Sequence, residues 1–242
     1  MQQNKTLKFT YFNFIEKISE DENEDAMNDV ESEINFKIAI SDGAGAAGIY
    51  CKDWANFLVE NQPVIPFKSK DNTLEWFLRI SKQFYDNNYT KIDKKDPFIL
   101  EKFNAEGSYA TLFYLWFDNK SKKLNYSGIG DTTLFVFKNI NKEYVPVLIT
   151  PINEQKSLDD FPKLVNWNKS LNYDLTSKEI ELMPEDIIIL STDSISRWLI
   201  YNLLIVSQLK TQELLGVELS NSINLDLLEL LKLKARYSSL ED

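Results

Sequence analysis

The sequence predicts an α+β protein in which antiparallel sheets are covered by helices, and two observations carry that reading. Apolar alternation, the mark of half-buried strands, runs through Leu7–Phe14, Ile34–Ile40, Thr111–Asp118, Lys123–Ser127, Thr133–Lys138, Tyr144–Ile149 and Ile187–Ser191. Amphipathic spacing at helical period marks Ile49–Glu60, Thr73–Asn87, Pro97–Asn104, Ser194–Ser207 and Leu225–Lys234. Their order is strands, helices, a strand meander, then strand and helix again, which is not the strict alternation of a doubly wound fold. The acidic run Glu20–Glu33 reads as a solvated loop, and Asn153–Ser177, polar and carrying Pro162 and Trp167, as a second long loop. No repeat or low-complexity linker divides the chain. With 242 residues and 43% hydrophobic side chains, the expectation is a single domain over residues 1–242 with one substantial core.

Composition removes whole classes of chemistry. A formal net charge of −10 leaves nothing to replace the counterions of a nucleic acid, so DNA and RNA are not expected partners. The chain holds no His and a single Cys, Cys51. Imidazole-based triads and His-ligated zinc are therefore excluded, as are disulfide frameworks and Cys-pair metal knuckles. The residue six after Cys51 is Phe57, where a cysteine phosphatase needs Arg, so Cys51 reads as helix packing. The most apolar stretch, Trp198–Leu209, is broken by Asn202 and Gln208 and is too short and polar to span a bilayer. A cytoplasmic protein without a membrane partner is expected, whose chemistry runs on carboxylates.

Glycine is scarce, with seven residues in all, and its places are informative. Gly43, Gly45 and Gly48 follow a predicted strand and precede a predicted helix, the literal spacing of a dinucleotide-binding loop. Asp42 directly before that loop argues against a nucleotide, because it would set a carboxylate beside the pyrophosphate. It suits a hard cation instead. A carboxylate at a strand end, followed by a glycine whose carbonyl is unobstructed, is the kind of oxygen donor set that Mg²⁺ or Mn²⁺ takes. The design recurs at Gly128-Ile129-Gly130-Asp131 and at Thr192-Asp193, while Glu24 and Asp25 lie on the other side of the predicted strand Ile34–Ile40. The aromatic run Phe113–Phe117 alternates along a strand and reads as core.

In order, Asn23-Glu24-Asp25-Ala26, Ser41-Asp42-Gly43-Ala44-Gly45, Gly107-Ser108-Tyr109-Ala110-Thr111, Gly128-Ile129-Gly130-Asp131-Thr132 and Leu190-Ser191-Thr192-Asp193 resemble the motifs of the metal-dependent protein phosphatases of type 2C. The form around Ser191–Trp198 is more similar to a divergent bacterial branch. The resemblance covers nearly the whole chain and implies a four-layer α-β-β-α sandwich, two antiparallel sheets face to face with helices outside. It also implies two or three Mg²⁺ or Mn²⁺ ions, with Asp42 bridging two of them, the Gly43 carbonyl on one and Asp193 on the other. Glu24 and Asp25 would act directly or through water, and Asp131 would help to hold a further, weaker ion. The implied reaction is hydrolysis of phosphoserine or phosphothreonine in proteins by a water between two metals, with no phosphoenzyme. A phosphorylated protein is the implied partner, linked to a cognate Ser/Thr kinase or its targets.

The chain departs from the family pattern in two places. Ile18-Ser19-Glu20-Asp21 lacks the Arg that many relatives carry before the Asn-Glu-Asp motif. At the other end Ser239-Leu240-Glu241-Asp242 stands where a metal-binding Asp and a final strand are expected, so that Asp242 is the candidate last ligand or the final strand is lacking. The alternative reading they support is a pseudophosphatase, a binding or regulatory module with little or no activity.

Overall fold

The computed structural model describes residues 24–31, 35–45, 48–92, 96–141, 143–151 and 161–214. The strand Leu7–Phe14, the helix Leu225–Lys234 and Asp242 expected from sequence lie outside them. Five strands, β1 (Asp25–Glu31), β2 (Asn35–Asp42), β4 (Leu112–Asp118), β5 (Lys123–Ile129) and β9 (Lys178–Glu181), form one sheet in the order β1-β2-β4-β5-β9. Three more, β10 (Ile187–Ser191), β6 (Thr133–Ile140) and β7 (Glu143–Thr150), form a second in the order β10-β6-β7. Both sheets are antiparallel throughout. The short strands β3 (Tyr109–Ala110) and β8 (Val165–Asn166) pair separately.

Side-chain alternation on β4 shows how the layers are assembled. Phe113, Leu115 and Phe117 face the second sheet, where they meet Leu134 and Val136 of β6. Leu112, Tyr114 and Trp116 face the other way, onto a core shared with α1 (Cys51–Glu60), α2 (Lys70–Tyr89) and α3 (Pro97–Ala105). A strand buried on both faces must be apolar at every position, and this is why Leu112–Phe117 is an unbroken apolar run. β6 repeats the arrangement: Phe135 and Phe137 turn outward onto Leu199 and Ile200 of α4 (Asp193–Leu214). The stack is helices, sheet, sheet, helix, the four-layer α-β-β-α sandwich expected from sequence.

Local chemistry sets the helix starts. Ser69 caps α2 by accepting from the Asn72 N–H at 3.2 Å. Asp96 caps α3, accepting from the Phe98 and Ile99 N–H groups, with Pro97 in the first turn. Each satisfies backbone donors that the helix itself leaves open. Within the helix-side core, Trp54 of α1 donates its indole N–H to the Val165 carbonyl at 3.2 Å and packs edge-on against Phe84.

Two sequence expectations are corrected. The acidic run Glu20–Glu33 is not a loop throughout, because Asp25–Glu31 forms strand β1, the edge of its sheet among the described residues, paired along its length with β2. An edge strand needs backbone partners more than apolar side chains, and here only Ala26 is an apolar residue sunk into the core, so hydrophobic patterning could not reveal it. In Asn153–Ser177, Val165–Asn166 is strand β8, and Trp167, Leu171 and Leu175 plug the helix-side core. Strand β9 went unrecognised for the same reason as β1: Lys178-Glu179-Ile180-Glu181 has one apolar residue.

The fully buried Tyr114 donates its hydroxyl to the Leu58 carbonyl of α1 at 2.6 Å, joining sheet to helix. That carbonyl also accepts from the Asn61 N–H, so it keeps a partner when the hydroxyl is removed. Tyr114→Phe is therefore expected to cost about 1 kcal/mol, the net worth of one hydrogen bond, read as a lower urea midpoint at unchanged slope.

Candidate functional site

The register between β1 and β2 sets Asp25 directly opposite Asp42. Directly opposed residues share a face of the sheet, and residues two apart on a strand share it as well. Asp42 thus lies on the side of Phe36 and Ile38, which pack between the two sheets. The two carboxylates sit at the end of the inter-sheet gap, where the apolar filling stops. One oxygen of Asp25, Oδ1, is buried.

Short polar contacts hold Asp42 in place. Its N–H donates to Thr111 Oγ1 at 2.8 Å, and its carbonyl accepts from the Thr111 N–H at 2.8 Å. Ser41 adds a hydroxyl bond to the Thr111 carbonyl at 2.6 Å. Thr111 Oγ1 also shares a hydrogen bond of 2.7 Å with Thr132 Oγ1, tying the end of β2 to the turn between β5 and β6. Gly43 bridges to Ala110, and the approach there is close: a Cβ at Gly43 would stand 2.8 Å from the Cys51 backbone. A glycine is needed for this contact, a reason different from the free carbonyl for which the sequence reading wanted it.

Glu24 serves the loop. Its carbonyl accepts from the Gly43 N–H at 3.1 Å, and its carboxylate oxygen Oε2 accepts from the Gly45 N–H at 2.6 Å. In this structure its carboxylate thus fastens the glycine loop to the start of β1. Cys51 is buried, and burial raises its thiol above the usual range, which agrees with packing rather than nucleophilic chemistry.

A second pair of carboxylates terminates the other sheet. Ser191 of β10 pairs with Thr133 of β6, and Asp193 and Asp131 each lie two residues beyond that pair. Gly130, with φ of 104°, takes the left-handed turn that brings Asp131 round, and Thr133 Oγ1 donates to the Asp131 carbonyl at 3.0 Å. Asp193 Oδ1 accepts from the Ser194 N–H at 2.6 Å. Burial, foremost, and then the negative charges of Asp193 and Asp25 hold the Asp131 carboxyl above its ordinary range, against the opposing pull of its own backbone N–H and of Arg197. Asp25 and Asp131, on different sheets, are therefore within reach of each other's charge.

Among the described residues, no group of three or more His, Cys, Asp or Glu side chains is placed to hold a metal ion by itself. The carboxylate donors come in two pairs at strand ends, Asp25 with Asp42 and Asp131 with Asp193. This fits a hard divalent ion such as Mg²⁺, which is bound through one or two carboxylates and retains water or substrate oxygen in its remaining positions. The like charges gathered at Asp131 point the same way, since an added cation relieves them. The sequence names Glu24, Asp25, Asp42, Gly43, Asp131 and Asp193 as candidates, and Asp242, which lies outside the described residues. It assigned no role to Thr132 or Arg197, and Thr111 was visible only as the end of the Gly107–Thr111 motif.

The fold and the strand-end carboxylates define an α-β-β-α sandwich with an acidic mouth between its sheets. No family model matches the chain, and no curated protein does. Among solved structures it is similar to RsbX in complex with magnesium (14% identity, 71% of this chain and 66% of that one, TM-score 0.43). It is also similar to a Stage II sporulation E family protein from Thermanaerovibrio acidaminovorans (10% identity, 68% and 79%, TM-score 0.43) and to the serine/threonine phosphatase Stp1 from Staphylococcus aureus (14% identity, 70% and 66%, TM-score 0.40). The chain spans just under two thirds, 66%, of the length of RsbX and of Stp1. No helix of the described residues is long and apolar enough to cross a membrane.

Because the folded state raises the pKa of Asp131, it binds that proton more tightly than the unfolded chain does. The ionised carboxylate then costs stability, fully so above the raised value, and the cost is gone below the ordinary carboxylate range. In EDTA, Asp131→Asn is expected to melt at a higher temperature than the parent at pH 7. That advantage should shrink as the pH falls through the carboxylate range, as thermal melts across pH will show.

Proposed function

We propose that this chain is a metal-dependent protein-serine/threonine phosphatase of the type 2C-like kind, which uses Mg²⁺ or Mn²⁺ at the mouth between its sheets. The observation that supports this most is the cross-strand pairing of Asp25 with Asp42, with Asp131 within reach of the charge of Asp25. Two carboxylates placed directly opposite each other repel, and a site that keeps them so is suited to a shared cation.

In this reading Asp42 and Asp25 are the central ligands, and the Gly43 carbonyl is a further oxygen donor. Asp193 and Asp131 supply the opposite wall, and Glu24 fixes the glycine loop or reaches the ions through water. Bound divalent ions would neutralise the phosphate ester and make a water molecule acidic enough to attack at neutral pH. Thr111 fixes the backbone of Asp42 from two sides, so that the carboxylate meets its ligand without first being ordered. With no His in the chain, imidazole does not protonate the leaving serine or threonine oxygen. In this reading that proton comes from water at the site. A protein of net charge −10 would repel a phosphoprotein, and cations at the mouth reverse the local sign. The partner in this proposal is a phosphorylated protein, connected with a cognate Ser/Thr kinase or its targets, in the cytoplasm.

Hydrolysis of p-nitrophenyl phosphate and of a phosphothreonine peptide tests the reading. Activity is expected with Mn²⁺ and not with EDTA, and Asp42→Ala should lower it by more than the roughly 10–100-fold typical of removing an outer partner of a metal ligand. Hydrolysis that survives both EDTA and Asp42→Ala contradicts the proposal. An intact protein that binds Mn²⁺ without cleaving either substrate supports the binding or regulatory module instead.

A further inference from the structure

The Asp131–Asp193 side of the mouth carries a positive charge of its own. Asp193 opens α4 and Arg197 stands four residues on, a spacing of about one helical turn that makes the two neighbours on one face. That turn is held against the sheet. Ser196 Oγ lies 2.9 Å from Ser191 Oγ and donates to the Ser191 carbonyl at 3.0 Å, while Leu199 and Ile200 sink into the core beneath β6 and β10. Arg197 itself is exposed. Asp131 leaves the same sheet end, in the turn that precedes the partner of Ser191. Among the charges that act on Asp131, Asp193 and Asp25 are like and Arg197 is opposite.

We propose that Arg197 is a built-in cation of the acidic mouth, supplying at Asp131 and Asp193 the positive charge that a further divalent ion would otherwise bring. An arginine suits that role. Its guanidinium stays charged at any physiological pH and presents donors in the planar fork that a carboxylate accepts. Carried on a helix anchored by Ser196, Leu199 and Ile200, it is also partly ordered before it meets its partners. The mouth is then divided: an added cation is taken at Asp25 and Asp42, and Asp131 and Asp193 are balanced from within the chain. The proposal deepens the metal-dependent reading above, and its test separates the two.

Mn²⁺ binding to the full chain, counted from the free-ion electron paramagnetic resonance signal and by titration calorimetry, is the readout. Arg197→Ala is expected to bind one more equivalent of Mn²⁺ than the parent, and Arg197→Lys, which keeps the charge, the same number as the parent. Adding Asp131→Asn to Arg197→Ala should abolish the gain. Arg197→Gln, closer in length and hydrogen bonding, is the second neutral variant, and circular dichroism melts establish that each is folded. Equal Mn²⁺ stoichiometry and affinity in the parent and in a folded neutral variant overturn the proposal. A parent that binds no Mn²⁺ at all contradicts the phosphatase reading instead, and the gain or absence of a site in the neutral variants still decides the role of Arg197.

Discussion

The double burial of β4 is the constraint from which the site follows. With Phe113, Leu115 and Phe117 committed to the second sheet and Leu112, Tyr114 and Trp116 to the helices, a slip of one residue would exchange the two sets and strand the Tyr114 hydroxyl away from Leu58. The strand cannot slide. Its register with β2 is thereby fixed, Ile40 against Phe113, and that register delivers Thr111 to both backbone groups of Asp42. Packing far from the mouth thus sets the position of a carboxylate at it. The same logic holds in the second sheet, where Leu134 and Val136 face inward and Phe135 and Phe137 outward. Fixing β6 in this way fixes where Asp131 and Asp193 emerge.

What the core fixes, electrostatics strains. Asp25 is set opposite Asp42, and burial first, then the negative charges of Asp193 and Asp25, hold the Asp131 carboxyl above its ordinary range. A fold selected for stability alone has little reason to oppose Asp25 to Asp42 across a strand pair. Such an arrangement is understandable when a cation is part of the working state. Arg197 then reads as a partial answer to the same problem, made by the chain itself.

Legibility in the sequence followed burial. Strands with two committed faces, such as Leu112–Phe117, and helices with a strong apolar stripe, such as Lys70–Tyr89, were visible because burial writes a pattern into the residues. Ile187–Ser191 was bounded as the structure has it. The strands Asp25–Glu31 and Lys178–Glu181, at the two edges of their sheet among the described residues, were not visible, because backbone pairing leaves no side-chain signature. Within the site, strand-end Asp residues beside Gly43 and Gly130 stood out because glycine is rare in this chain. The hold of Glu24 on Gly45 could not be read, since it depends on β1 folding back along β2. Nor could the proposed role of Arg197, which depends on α4 and the β5–β6 turn meeting at one end of the second sheet.

The central claim is that Asp42 is the core ligand of a divalent ion at the mouth between the sheets. Anomalous diffraction at the manganese absorption edge, from crystals of the full chain grown with Mn²⁺, tests it most directly. The account predicts an anomalous peak within coordination distance of the Asp42 carboxylate, with Asp25 or the Gly43 carbonyl alongside. Crystals saturated with Mn²⁺ that show no peak at Asp42, or peaks only at unrelated surface carboxylates, would contradict it.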